Sequence, residues 1–403
     1  MLTTLIYRSQ LNLSRPSTEL RELVARARGR NTKLAITGVL LANGNEVLQI
    51  LEGSEESVVK LFHTIREDKR HSGVVELLRD YGPRRRFENV GMLLFDLQTQ
   101  SPKEVLQSVL RYSKLDSYLT SDDRVFKFIQ TFITGKRPVP SGARYTADKW
   151  TLSTETLPFG AHLGLIAGQT CQFALQPIVE PSEGKISSLE ALIRSNDGGS
   201  PEHFFSSVDP DNIYEVDLQT KAYAFALAEK LGIGSHKIAV NLLPMSLVNV
   251  PGAVEFLVDQ IKKHGLQPEQ VVIEVTENEM ISGFNQFNSA IKQLRGEGIG
   301  LAIDDFGSGY AGLSLLTRFQ PDKIKIDREI VSNIHLSGPK QAIVRSIISC
   351  CSDLEITLVA EGIEKIEEWC WLESAGIRRF QGFLFARPQL NGVGDIHWPH
   401  LAR

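Results

Sequence analysis

The chain has 403 residues, enough for two or three domains, and its 42% hydrophobic and 23% charged content is typical of globular proteins. A formal net charge of −4 gives no general attraction to nucleic acids or anionic membranes, so neither is expected as a partner. The sequence has no run of about 18 apolar residues, no secretory signal and no CxxC pair among its 4 cysteines, which predicts a cytoplasmic protein with reduced thiols.

The first 95 residues predict a ferredoxin-like α+β sandwich. Apolar residues at helical spacing predict helices over 17–28 and 57–67, and Asn43-Gly44-Asn45 predicts a hairpin turn. Five short apolar runs predict strands, at 4–9, 36–43, 46–53, 74–82 and 90–97. The resulting order βαββαββ, within so short a segment, is typical of the ferredoxin-like arrangement.

Residues 96–168 are predicted to be a helical connector and linker between two domains. The part from 101 to 134 has the apolar spacing of two amphipathic helices. The part from 136 to 168 is rich in Pro, Gly, Ser and Thr and has no sustained period, which predicts a linker.

Residues 169–403 predict a TIM-like (β/α)₈ barrel, so the whole chain is of the α/β class. Eight apolar runs alternate with helical segments in this part of the sequence. The runs are FALQPIV, SLEALI, KIAVNLL, VVIEVTE, LAIDDF, KIKID, TLVAEGI and RFQGFLF. In such a barrel the chemistry lies where strands end and loops begin.

Seven of the eight runs carry a polar residue near one end. These residues are Glu190, Asn241, Glu274, Asp304 with Asp305, Lys325, Glu361 and Gln381. Buried carboxylates are costly unless they are paired or bind metal, so five acids converging on one rim indicate bound cations. Oxygen ligands without Cys or His favour Mg²⁺ or Mn²⁺ over zinc. A pair of such ions is a recurrent device for phosphodiester cleavage.

The motifs EALIR, NLLP, EVTE, DDFGSGYAGL, KIKID, AEGIE and QGF, in this order, resemble the EAL family of cyclic-di-GMP phosphodiesterases over residues 172–392. The resemblance implies that Asp305 holds the second metal ion and the attacking water, that Lys325 orients this water, and that Glu361 is also catalytic. It implies substrate contacts from Gln176, Arg194 and Gln381, and support of the Asp-Asp-Phe-Gly loop by Glu277. The implied metal ligands are Glu190, Asn241, Glu274, Asp304, Asp305 and Glu361.

The first domain offers Tyr7 and Gln49, whose spacing alone is compatible with two half-buried strand residues or with a facing hydrogen-bonded pair. The motifs LIYRS, Arg30-Asn31, ITGVLL, LQILEG, DKRH and Gly91-Met92 resemble the BLUF family of blue-light sensors that use FAD. The resemblance implies that Tyr7 and Gln49 are the photoactive pair, that Asn31 hydrogen-bonds the flavin ring, and that Met92 lies near Gln49. Ser9 is a further candidate partner of Gln49.

Two other stretches of this domain bear on the resemblance. Many relatives carry aromatic residues before the glutamine, whereas here residues 45–48 are Asn-Glu-Val-Leu and Ala42 stands where Phe is common. We expect weaker flavin binding or an altered photocycle as a result. The triplet 84–86 is Arg-Arg-Arg and is predicted to be a solvated charged turn, with a role toward the flavin phosphates or the second domain as the alternative.

Together these features predict a light-regulated homodimer that binds FAD and two divalent metal ions and hydrolyses cyclic-di-GMP to linear pGpG. The helices at 101–134 would carry the signal between the domains. One rival is a catalytically silent protein in which light controls binding to another regulator or to the dinucleotide. Another is a nuclease, which the absence of a basic bias disfavours.

Overall fold

The computed structural model describes residues 2–12, 16–87, 90–113, 123–135, 147–157, 170–276, 284–308 and 312–401. Contacts divide the chain into two units, residues 1–138 and residues 139–403, and each is described by itself. Among these described residues, no helix combines the length and the apolar character needed to cross a membrane.

A five-stranded sheet in the order β4-β1-β3-β2-β5 forms the centre of the first unit. The strands are β1 Leu2–Leu11, β2 Thr37–Asn43, β3 Glu46–Ser54, β4 His71–Gly82 and β5 Leu93–Asp96. Neighbouring strands are antiparallel except β2 and β5, which are parallel. Helices α1 Pro16–Lys33 and α2 Glu55–Glu67 connect the strands in the predicted order, which confirms the ferredoxin-like prediction.

Helices α1 and α2 cover one face of this sheet. Leu61 and Phe62 of α2 pack with Leu5, Tyr7 and Leu51 of the sheet, because alternate strand residues point to the same face. On the α1 side, Leu20, Val24 and Ala27 of the helix pack with Leu40, Val47 and Met92 of the sheet region. The predicted photoactive pair therefore lies on the face that α1 and α2 enclose.

Helices α3 Pro102–Tyr112 and α4 Arg124–Thr134 pack on the opposite face of the sheet. Val109 and Ile129 belong to one apolar cluster with Ile6, Leu48 and Ile50, the strand residues that alternate with Tyr7 and Gln49. A capping box of Ser101 and Glu104 begins α3, and Asp123 caps the start of α4. The two helices predicted at 101–134 exist and form part of the core of the first unit.

A buried group of charges joins this second face to α4, and we call Thr4, Glu52, Asp80, Arg86 and Asp123 the Arg86 cluster. The Arg86 guanidinium donates to Asp123 Oδ2 at 2.6 Å, to Asp80 Oδ2 at 2.5 Å and to Thr4 Oγ1 at 2.9 Å. Glu52 accepts from Thr4 Oγ1 at 3.2 Å and from the backbone N–H groups of Arg86 and Phe87 at 3.1 and 3.2 Å. The prediction of a solvated turn is therefore wrong for Arg86, whose side chain is 12% exposed.

The second unit begins with a short strand in the stretch predicted to be linker. Strand β6 Trp150–Glu155 pairs antiparallel with β16 Ile396–Leu401, near the end of the chain. The linker prediction therefore missed one element, and residues 136–146 and 158–169 of that stretch lie outside the described residues. The strand was missed because most of its residues are exposed, so it lacks alternating apolar positions.

Eight strands close into the predicted barrel, since the last pairs with the first. They are β7 Gln172–Glu180, β8 Lys185–Arg194, β9 Lys237–Asn241, β10 Val271–Thr276, β11 Gly300–Phe306, β12 Lys323–Ile326, β13 Thr357–Ala360 and β14 Arg379–Phe380. The strands from β8 to β14 run parallel, whereas β7 is antiparallel to both of its neighbours. Short strand β15 Gln389–Leu390 adds to β7.

Helices surround the barrel and cover the outward apolar side chains of the strands. They are α5 Pro201–Ser206, α6 Ile213–Leu231, α7 Ser246–Asn249, α8 Ala253–Lys263, α9 Phe284–Gly296, α10 Gly312–Leu315, α11 Arg328–Val331, α12 Gly338–Asp353 and α13 Ile366–Ala375. Strand residues such as Ile273, Ile303 and Ile324 pack in this outer layer. The intervening residues of the same strands point inward, and they form the site.

Candidate functional site

Along the barrel strands, the last inward-facing side chains are polar. Ala239, Val272 and Ala302 form a small apolar layer inside the barrel. Two residues further along each strand the same inward position is occupied by Asn241, Glu274 and Asp304, because side chains alternate with a period of two. The strand direction therefore places these polar groups together at the carboxyl ends of the parallel strands.

Lys325 stands at the centre of a ring of four carboxylates, and we call Glu190, Glu274, Asp304, Lys325 and Glu361 the Lys325 cluster. The Lys325 Nζ atom lies 2.7 Å from Glu274 Oε2 and from Glu361 Oε1. It lies 3.1 Å from Glu190 Oε2 and from Asp304 Oδ1. One ammonium group thus contacts acids from four different strand ends, and its own side chain is 1% exposed.

Two side-chain amides bind the acid of β8. Asn241 Nδ2 donates to Glu190 Oε1 at 2.7 Å, and Gln381 Nε2 donates to Glu190 Oε2 at 2.6 Å. Gln381 Nε2 also reaches Gln176 Oε1 at 3.1 Å, and Gln176 donates to the backbone oxygen of Ala386 at 3.0 Å. The buried Gln381 Oε1 atom has no hydrogen-bond partner among the described residues, so it is free to accept from a bound ligand.

The pKa values of the cluster reflect an excess of negative charge in a buried place. Burial is the main cause that raises the pKa values of Glu274 and Glu361 well above the ordinary value, and neighbouring acids add to the rise while Lys325 opposes it. Burial also disfavours the ionised form of Glu190, but Lys325 and the two amides outweigh it and lower this pKa. Burial would lower the pKa of Lys325, yet the surrounding acids hold it well above its ordinary value.

The acids fit a pair of divalent cations. Oxygen atoms of Glu190, Glu274 and Asp304 lie within 4.8 Å of one another, and so do those of Asp304, Asp305 and Glu361. Asp304 belongs to both groups, as a bridging ligand would. Five carboxylates and one ammonium leave four negative charges, which two divalent cations balance. The donors are all oxygen, which suits Mg²⁺ or Mn²⁺.

Asp305 has an unusual backbone at this rim. Its φ angle is 53°, in the left-handed region that costs a non-glycine residue about 1–3 kcal/mol. Its N–H group donates to Asp304 Oδ1 at 3.0 Å, so the two adjacent acids point differently. Burial, followed by the charges of Asp304 and Asp327, raises the pKa of Asp305 to about 6. This left-handed backbone accompanies the position of Asp305 in the lining of the cavity at the mouth of the barrel.

A cavity of about 270 Å³ opens onto the cluster. It is lined by the expected residues Gln176, Glu190, Asp304, Asp305, Lys325, Glu361 and Gln381, and by Leu192, Asp327, Arg328, Gly362, Glu364, Gly382 and Phe383. Arg328 and Phe383 were not among the predicted site residues, although Arg328 directly follows the KIKID motif and Phe383 is the last residue of the QGF motif. Arg328 forms an ion pair with Glu364 at 2.7 Å.

Of the expected site residues that the structure describes, Arg194 stands apart from this cavity. The guanidinium of Arg194 donates to the backbone oxygen of Ile193 at 2.8 Å, and Arg194 is not among the residues that line the cavity. Glu277, the expected support of the loop, lies outside the described residues. Asn241 and Glu274 are in contact with the ring but lie beneath the cavity lining.

The second candidate site is the predicted pair in the first unit. Tyr7 and Gln49 are directly opposite each other on β1 and β3, and Tyr7 Oη donates to Gln49 Oε1. Gln49 Nε2 lies 3.8 Å from Met92 Sδ, as expected for a methionine beside this glutamine. Ser9, the other candidate partner of Gln49, instead lies 3.0 Å from His71 Nδ1. Burial is the main cause that raises the pKa of Tyr7, so its hydroxyl keeps its proton.

Asn31 leaves a free acceptor in the same layer. Its Nδ2 atom donates to the backbone oxygen of Gly91 at 2.8 Å, and the residue is fully buried. The Asn31 Oδ1 atom has no hydrogen-bond partner among the described residues. A buried acceptor without a donor costs stability, so this atom suits a ligand that carries an N–H group, as a flavin ring does. At Gly38 a Cβ atom would come within 2.8 Å of Met92 Sδ, so a larger residue would crowd this layer.

Comparisons with known proteins identify the family of each domain. The family model for sensors of blue light using FAD (BLUF) matches residues 2–93, and the EAL domain model matches residues 163–388. The chain is 45% identical, over 99% of both chains, to the blue light- and temperature-regulated antirepressor BluF of Escherichia coli K12.

Two solved structures extend the comparison to ligands. The complex of Klebsiella pneumoniae BlrP1 with manganese and cyclic-di-GMP is similar with a TM-score of 0.61 and 52% identity, covering 100% of both chains. A standalone EAL protein of Vibrio cholerae O395, bound to cyclic-di-GMP, has a TM-score of 0.51 and 33% identity, covering 59% of this chain and 95% of the other.

Proposed function

This chain belongs to the family of proteins that carry a BLUF domain and an EAL domain, and from that premise we propose that it is a blue-light-regulated cyclic-di-GMP phosphodiesterase. The observation that carries the proposal is the Lys325 cluster with Asp305. Its two groups of acids share Asp304 and match two divalent cations in charge and ligand type.

In the proposed reaction water cleaves one phosphodiester bond of cyclic-di-GMP and yields linear pGpG. Bound Mg²⁺ or Mn²⁺ ions supply the positive charge that lowers the pKa of water and stabilises the leaving oxygen. Asp305, at the mouth of the cavity, holds the attacking water, and the Lys325 ammonium orients it and offsets developing negative charge. Glu190, Asn241, Glu274, Asp304, Asp305 and Glu361 are the proposed metal ligands.

The cavity also offers groups for the substrate. Gln176 and Gln381 line it beside the acids, and the free Gln381 Oε1 can accept a hydrogen bond from the nucleotide. Arg194 carries a planar guanidinium at the end of β8, which suits a substrate phosphate once its single backbone contact is exchanged. Recognition would therefore come from the amides and the chemistry from the acids.

The proposed sensor binds FAD between the sheet and the helices α1 and α2. Asn31 Oδ1 would accept from the flavin ring, and the Tyr7–Gln49–Met92 contacts would lie beside it. When bound, the flavin supplies the absorption of blue light. Tyr7 then exchanges its hydrogen bond and Gln49 changes its partners, which alters the packing of β3 on the sheet face that contacts α3 and α4. We propose that this change alters the hydrolysis rate in a homodimer.

A second candidate function is supported by the relative that is 45% identical and is described as an antirepressor. In that case the chain would act on another regulator under the control of light, without turnover. The complete set of acids around Lys325 favours catalysis, because a binding protein gains nothing from burying unbalanced carboxylates.

One experiment on the full-length, flavin-loaded protein separates the candidates. Visible spectra before and after blue light report the sensor, and pGpG formation with Mg²⁺ or Mn²⁺ reports the barrel in each state. We expect a light-induced spectral shift and a hydrolysis rate that differs between light and dark. Binding of cyclic-di-GMP without turnover would favour the silent regulator, and equal rates in light and dark would contradict the proposed regulation.

A further inference from the structure

A buried ion pair on α6 faces the segment that follows β9. Asp217 and Lys221, one helical turn apart, are each 2% exposed. Lys221 Nζ donates to Asp217 Oδ1 at 2.6 Å and to Thr220 Oγ1 at 3.3 Å. An ion pair within one helix can be purely structural. The contacts of the second carboxylate oxygen, Asp217 Oδ2, show that this pair also holds another segment.

That second oxygen binds the segment after β9. Asp217 Oδ2 accepts from the backbone N–H of Leu243 at 2.9 Å and from Ser246 Oγ at 2.8 Å. Leu243 and Ser246 lie 26 and 29 residues beyond Asp217, and they are the second and fifth residues after Asn241. The Asp217 carboxylate therefore fixes the point where β9 turns away from the barrel, through these two hydrogen bonds.

Asn241 is thereby held close to the Lys325 cluster. The backbone N–H of Leu242 donates to the Glu274 backbone oxygen at 2.9 Å, which anchors one side of the turn to β10. Asp217 anchors the other side one residue later. Asn241 directly precedes these two anchors, and its Nδ2 atom donates to Glu190 Oε1 at 2.7 Å. A shift of the turn would rotate the amide away from Glu190.

We propose that Asp217 is a positioning residue for the metal ligands: it holds the turn after β9 so that Asn241 orients the Glu190 carboxylate. This inference rests on the proposed function, since it assumes that the acids bind divalent ions. Lys221 holds Asp217 Oδ1 at 2.6 Å, which leaves Oδ2 for the segment after β9. The pair acts through Asn241 and touches neither substrate nor ion.

The test is Asp217→Asn in the full-length protein, with direct Mn²⁺ affinity from calorimetry as the readout. The matched control is Glu373→Gln, which alters a fully buried carboxylate at the other end of the barrel, where it binds Ser182 and Arg378. We expect about 10-fold weaker Mn²⁺ binding in Asp217→Asn, the usual size for a residue that orients a ligand, and wild-type binding in Glu373→Gln. Equal Mn²⁺ affinity in the two variants would overturn the inference.

If Asp217→Asn does not fold, a milder variant tests the positioning role of Asp217. Ser246→Ala removes one hydrogen bond to Asp217 Oδ2 and leaves the ion pair intact. We expect Mn²⁺ binding about 2- to 3-fold weaker than wild type and a melting temperature only about 2–4 °C lower, since one buried hydrogen bond is lost; wild-type affinity would count against the inference. If the wild-type protein binds no Mn²⁺, the proposed function fails and the inference fails with it, whereas a loss confined to these variants supports both.

Discussion

The two units each bury a cation among several carboxylates, and they satisfy the charges differently. In the Arg86 cluster, the acids also accept from backbone N–H groups, those of Arg86 and Phe87 on Glu52 and those of Val125 and Phe126 on Asp123. In the Lys325 cluster, the hydrogen bonds to Glu190, Glu274 and Glu361 come from side chains of Lys325, Asn241 and Gln381.

The difference separates a structural cluster from a reactive one. Main-chain donors belong to the fold, so the Arg86 cluster is complete as it stands and has no need of a ligand. The Lys325 cluster has more carboxylate oxygens than donors, and it opens on a cavity of about 270 Å³. A buried cluster with too few donors and an opening is the arrangement that calls for bound cations.

The largest expected effect comes from removing the acid shared by both candidate metal groups. Asp304→Asn should lower pGpG formation by at least about 10³-fold, because both cations lose a ligand charge. Asp322→Asn is the matched control, since Asp322 accepts from the Leu301 N–H at the opposite end of the same strands. Near wild-type turnover in Asp304→Asn would remove the basis for treating the Lys325 cluster as reactive.

The Arg86 cluster should respond through stability and not through turnover. Arg86→Met leaves Asp80 and Asp123 buried without their cation, which should destabilise the first unit by about 3–5 kcal/mol. Thermal release of flavin from the full chain measures this. Arg79→Met, which breaks a half-exposed pair with Glu76, should cost no more than about 1 kcal/mol. If both variants release flavin at the same temperature, the Arg86 cluster is not the structural element described above.

Divalent cations should stabilise one unit and leave the other unchanged. At about 100 times its dissociation constant, Mn²⁺ should add about 2.7 kcal/mol to the barrel through binding to the folded state alone. Barrel melting followed by tryptophan fluorescence should move upward, while flavin release should stay at the same temperature. Adding a chelator should reverse the upward shift of the barrel melting temperature. An equal shift of barrel melting and of flavin release would contradict a barrel-specific site.

The smallest effect concerns His71, the ring beside Ser9 and Tyr7. Burial is the main cause that lowers the pKa of His71 below 6.5, so the folded sensor favours the neutral ring. The contribution of neutral His71 to the stability of the folded sensor is therefore present above pH 6.5, and it is lost as the pH falls through the lowered pKa. Flavin release should occur roughly a few °C lower in acid. His71→Asn should flatten this dependence, and an unchanged slope would assign it to another group.

Much of the architecture could be predicted from the sequence because the period of two is strong in buried strands. The alternation that places Ile273 outward and Glu274 inward is visible in VVIEV, and the same holds for LAIDD. The position of Tyr7 opposite Gln49 was harder to predict, because no hairpin turn joins β1 to β3 and the two residues are 42 positions apart in the sequence. The motif resemblance supplied what periodicity could not.

What could not be predicted depends on partners far apart in sequence. Arg86 looks solvated in its local context, but its partner Asp123 lies 37 residues further along the chain. The reversed direction of β7 follows from the tight turn at 181–184, where Gly184 has a φ angle of 61°. A turn this short allows a hairpin only, whereas a parallel connection needs a crossover. The sequence Pro-Ser-Glu-Gly at 181–184 indicates this hairpin. The alternation of strand and helix patterns around it favoured a parallel connection instead.

The reversal of β7 determines where the chain enters the barrel. Gln172 begins this strand opposite Arg194, so the polypeptide arrives at the reactive mouth and not at the closed floor. The Gln172 side chain donates to the backbone oxygen of Asn196 at 2.6 Å, just beyond the EALIR motif. The start of the barrel is therefore tied to the rim that carries Arg194. In an all-parallel barrel the chain would enter at the opposite end, a full strand length away from the acids.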